Sequence, residues 1–69
     1  MMERYLAHRI IFRGRIHTMA VLEIRADADG RYSVEVSPFR GEIHSTVFHS
    51  GTVTVRQAVD GARPELEFS

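Results

Sequence analysis

A small all-β domain is predicted by three features of the chain. Turn signals recur at short intervals, the runs between them are rich in Val, Ile, Thr, Phe and Tyr, and apolar and polar residues alternate within those runs. The expected architecture is an antiparallel meander of five or six strands, as a partly closed barrel or a strongly twisted sheet. The turn signals are Arg13-Gly14, Asp27 to Gly30, Ser37 to Gly41, Ser50-Gly51 and Asp60 to Pro64.

The first expected strand covers residues 5 to 13. Met2, Leu6 and Ile10 also fit a helical stripe, but Ile10-Ile11-Phe12 before Arg13-Gly14 favours a strand entering a tight turn. In the second, Ile16, Thr18, Ala20, Leu22, Ile24 and Ala26 occupy alternate positions, opposite to His17, Glu23 and Arg25. Tyr32, Val34 and Val36 alternate in the same way in the third.

Register selects the turn between these two strands. A two-residue turn at Asp29-Gly30 would set Ile24 against Glu35 and mix the faces. A three-residue loop, Ala28-Asp29-Gly30, sets Ala26 against Tyr32, Ile24 against Val34 and Leu22 against Val36. The longer loop is therefore expected, with Gly30 in the left-handed conformation. Ser50-Gly51 reads as a two-residue turn pairing Phe48 with Val53 and Thr46 with Val55, leaving Ile43 and Val47 on a second apolar face. The end of the chain, Pro64 to Phe68, is expected to form a short edge strand, with proline tolerated at its start.

The 69 residues form one domain, 1–69. A domain of this size buries only about 60% of the surface its unfolded chain exposes. Disulfides, a metal or oligomerisation usually supplement so small a core. The chain has no cysteine, which removes disulfides and thiolate metal sites and leaves self-association. No apolar run reaches signal-peptide length or the roughly 20 residues of a membrane span, so a soluble, cytoplasmic protein without membrane contact is expected. Nine arginines balance nine acidic residues, and the zero net charge does not favour a dedicated nucleic-acid binder. The absence of lysine reads first as coding bias.

Three patterns invite chemistry. Glu23 and Glu35 fall opposite each other, but on a solvated face where like charges repel weakly. His8, His17, His44 and His49 lack the spacing of a ligand motif, so no metal is expected. Serines and threonines have no activating partner in the sequence, and glycines are scattered singly. No enzyme activity and no cofactor are expected.

The expected function is association with another protein, including further copies of this chain. Ile43 and Val47 supply an apolar face, and Phe39-Arg40 stands in a loop stiffened by Pro38. The alternative is a small single-stranded nucleic-acid binder. It would use Arg9, Arg13 and Arg15 of the first hairpin, which would share a face if the turn is tight.

Overall fold

The computed structural model describes residues 2–41 and 45–69. They form β1 (Met2–Phe12), β2 (Arg15–Ala26), β3 (Tyr32–Pro38), β4 (Val47–Arg56) and β5 (Glu65–Phe68). All five belong to one sheet in the order β3-β2-β1-β4-β5. The sheet is mixed and does not close, which corrects the expected antiparallel meander: β1 and β4 run parallel, and every other neighbouring pair is antiparallel.

The first two hairpins follow local rules. Phe12 pairs with Arg15 across Arg13-Gly14. Both turn residues have positive φ, 52° and 75°, the primed geometry that matches strand twist. At the second hairpin Ala26 pairs with Tyr32, Ile24 with Val34 and Leu22 with Val36, in the register that brings apolar residues together. Gly30 takes φ 78°, and the Asp27 carboxylate accepts the N–H groups of Asp29 and Arg31 at 2.9 and 3.0 Å. That closes an Asx-type turn.

Ser50-Gly51 does not form a hairpin. Val47–Arg56 is one continuous strand, so Phe48 does not pair with Val53. Between the pairs Ala7–His49 and Arg9–Thr52, β4 carries two residues where β1 carries one. The Ser-Gly pair thus accommodates a bulge.

A second departure lies in β2. Met19 has φ 45°, and the alternation reverses there. Ala20, Leu22 and Ile24 are buried in the core, whereas Ile16 is 66% exposed and Thr18 is also exposed. His17, not Ile16, pairs with buried Ile10. β1 shifts in step, with Ala7 and then Ile10 entering the core.

The core lies on one face, hereafter the inner face. Ala7, Ile10, Ala20, Leu22, Ile24, Val53 and Val55 form it, flanked by Tyr5, Phe12, Tyr32, Val34, Val36 and Leu66. Ile10, Leu22 and Val53 are fully buried, each contributing about 1.5–3 kcal/mol by leaving water. The segment between β4 and β5 folds towards the β3 edge, where the Tyr32 N–H donates to the Gly61 carbonyl at 2.9 Å. The shortest dimension of the molecule is 17 Å, as befits a single curled sheet. Among the described residues, no helix is long and apolar enough to cross a membrane.

Candidate interaction surface

The end of the sheet at Val47 is unlike the rest. β5 pairs with β4 only over Val53 to Arg56, and Ser69 extends the contact through two main-chain bonds with Thr52, 3.0 and 2.9 Å. The stretch from Val47 to Gly51 overhangs, and no described strand lies along its outer margin. Registration with β1 sets the faces. Val47 pairs with Tyr5 on the inner face, and Phe48 with Leu6 on the outer one.

Both side chains remain open, Val47 at 59% and Phe48 at 55% exposure. On the inner face Phe68 lies beside them, its ring 5.6 Å from Tyr5 and 5.1 Å from His49. On the outer face Phe48 meets the edge of the His8 ring at 5.7 Å, and Leu6 connects it to Val21. Val21 is buried yet lies outside the inner cluster, so the outer face carries an apolar stripe of its own.

The other expected site residues are dispersed. Phe39 follows β3, half-buried, and its N–H donates to the Met19 carbonyl at 3.0 Å. Arg40 beside it is exposed, and Ile43 lies outside the described residues. Arg9 donates to Thr52 Oγ1 at 3.2 Å on the outer face. Arg13 sits over the Phe12 ring at 5.0 Å and pairs with Asp60 at 3.2 Å. The turn is tight, but it sets Arg15 against Phe12, on the inner side, so Arg9 and Arg15 face opposite ways.

Glu23 and Glu35 do stand opposite each other. Arg4 binds the Glu23 carboxylate at 2.7 Å and Arg25 binds it at 3.1 Å. The hydrogen bond from Arg4, more than that from Arg25, holds the Glu23 carboxyl below its ordinary range. Such an anchored carboxylate is suited to fixing β1 against β2, not to sharing a proton with Glu35. Among the described residues, no group of three or more His, Asp or Glu side chains could hold a metal. His44 lies outside those residues.

One concave feature opens on the inner face between β5 and β3, a cleft of about 570 Å³ lined by Tyr5, Tyr32, Ile24, Arg63 and Leu66 among others. Its polar groups engage one another. Tyr5 donates its hydroxyl to Glu3 at 2.8 Å, Arg63 donates to the Tyr32 hydroxyl at 3.1 Å, and Arg56 pairs with Glu67 at 3.2 Å. Burial, reinforced by the hydrogen bond to Glu3, pushes the Tyr5 phenol above its ordinary pKa.

No family model, curated protein or solved structure matches the chain. Phe48 and Phe68 are the surface residues that pattern reading missed. Phe48 had a core partner only if Ser50-Gly51 turned the chain. A usable signal was present: the run from Ile43 to Val55 contains no Asp, Glu, Lys, Arg or Pro.

Proposed function

We propose that this domain is a non-enzymatic association module that binds further copies of itself through the β4 overhang. The observation that carries this reading is the combination of an unpaired strand margin with exposed Val47 and Phe48 on its two sides. Natural sheets protect such margins with charge, proline or cover, and an unprotected one pairs with another chain. The small core gives a physical motive, because burying apolar surface between copies adds to stability. The dispersed hairpin arginines lend the polyanion reading no comparable support.

Light scattering on a sizing column, across a range of concentrations, tests the proposal. The expected result is a mass above 7.9 kDa that falls on dilution, and Val47→Asp should hold the chain at monomer mass. A strict monomer at every concentration would refute self-association.

A further inference from the structure

We infer that residues 57–64, the segment between β4 and β5, form a latch that opens as a unit while the five-stranded sheet stays intact. In the sheet order β3 and β5 stand at opposite ends. The segment fastens the β5 side to β3 through the Tyr32 N–H, which donates to the Gly61 carbonyl at 2.9 Å.

Two kinds of bond hold the segment. Those within it keep its shape: Gln57 donates from Nε2 to the Ala62 carbonyl at 2.8 Å, and the Ala62 N–H donates to the Val59 carbonyl at 3.1 Å. Those that tie it to the sheet are few among the described residues, and they converge on Tyr32. Besides the main-chain bond, Arg63 donates to the Tyr32 hydroxyl at 3.1 Å and its guanidinium lies 5.6 Å from the ring centroid. Asp60 pairs with Arg13 at 3.2 Å, but both side chains are open to solvent, where an ion pair contributes little. The Arg31 guanidinium lies against Gly61, and it is the end of a flexible side chain. Ala58 and Val59 are exposed, so burial of apolar surface adds little to the hold. Pro64, in contrast, is buried and anchors the end that enters β5. Opening thus breaks weak external bonds, keeps the internal ones and costs less than unfolding the sheet.

Tyr32 lines two cavities, of about 570 and 520 Å³. Arg63 and Pro64 border the first, whereas Gln57, Asp60 and Gly61 border the second. The latch is the partition between them, and its release joins them into one groove that reaches the buried Ile24.

The Tyr32 amide reports the latch directly, because Gly61 is its partner. Val34 supplies the unprotected reference, since its N–H also turns outward from β2 and has no partner among the described residues. The slowest amides of the β1–β2 ladder supply the reference for global unfolding. In hydrogen exchange followed by NMR, Tyr32 protection should exceed that of Val34 at least about tenfold and fall short of the slowest amides at least about tenfold. Ile10 is fully buried in the core that both forms keep. Ile10→Val should therefore speed the slowest amides about fivefold and leave Tyr32 exchange unchanged. Arg63→Ala should speed Tyr32 exchange about threefold. Tyr32 exchange that matches the slowest amides, in rate and in its response to Ile10→Val, would overturn independent opening. Tyr32 no better protected than Val34 would overturn the latch itself. If a variant fails to fold, the order of the amides in the unmodified chain decides.

Discussion

Along β3 the sheet margin is guarded, whereas along the β4 overhang it is bare. Arg31 accepts from Asp27 at one end of the β2–β3 ladder, and Phe39 donates to Met19 at the other. Alternation then turns the main-chain groups of Tyr32, Val34, Val36 and Pro38 outward. Tyr32 is occupied by Gly61, and Pro38 has no N–H to offer. Among the described residues of this margin, Val34 and Val36 keep both an outward N–H and an outward carbonyl for an incoming strand. β5 protects itself differently, with four residues that include Glu65 and Glu67. The overhang has neither proline nor charge. On the proposed reading, this blunting of the other margins would direct where association occurs.

The contrast can be broken from the guarded side. Gly61 has φ 86°, and a side chain there would meet the Arg31 guanidinium within 3.2 Å. Gly61→Val should therefore cost about 1–3 kcal/mol, read from urea unfolding, and should free the Tyr32 N–H. Additional association through β3 should follow. An unfolding midpoint equal to that of the unmodified chain would show that the bridge does not guard this margin.

From the bare side, Phe48→Asp should weaken association at least tenfold, about 1.4 kcal/mol. Its unfolding free energy should change by less than about 0.5 kcal/mol in dilute solution. Ser33→Asp on β3 should leave association unchanged, as sedimentation velocity on both variants would report. A smaller change is expected for Pro38→Thr, which restores one outward N–H to the guarded margin. Its new contact should be worth about 1 kcal/mol or less, visible as weak self-association at high concentration.

The smallest effect belongs to an ion pair between β1 and β2, the two strands that lie between these margins. The Glu23 carboxyl is held low by Arg4, so its contribution is present above the ordinary carboxylate pKa and is lost as pH falls through the depressed native value. Glu23→Gln should remove that acid-side slope, worth a few tenths of a kcal/mol at this partly solvated site. Unfolding at a series of pH values between about 3 and 6 would measure it.

What could be read from the sequence follows the distance over which it is determined. The β2–β3 register was legible to the residue, because alternation on both strands and the loop length had to agree at once. The edge strand at Pro64 to Phe68 was legible for a similar local reason. The β1–β4 pairing was not. Nothing local names a parallel neighbour some forty residues away, and Ser-Gly serves a bulge as well as a turn. Ile16 and Thr18 were placed on the wrong face because a left-handed Met19 leaves no mark in the pattern. Of the interaction candidates, Val47 sits on the overhang, while its neighbour Phe48 was hidden by the assumed hairpin.

The parallel pairing also has a consequence in time. The hairpins of β1 to β3 close over short loops, whereas the ladder from Tyr5–Val47 to Phe12–Val55 must close a far longer one. Loop-closure entropy grows with that separation, so the central ladder is expected to form after the rate-limiting barrier. Val53→Ala should then accelerate unfolding while leaving the refolding rate nearly unchanged, whereas Leu22→Ala should slow refolding. Until β4 docks, the inner strand β1 is itself a margin. On the ribosome, the N-terminal three strands would emerge with that flank bare, waiting for residues that have yet to be synthesised.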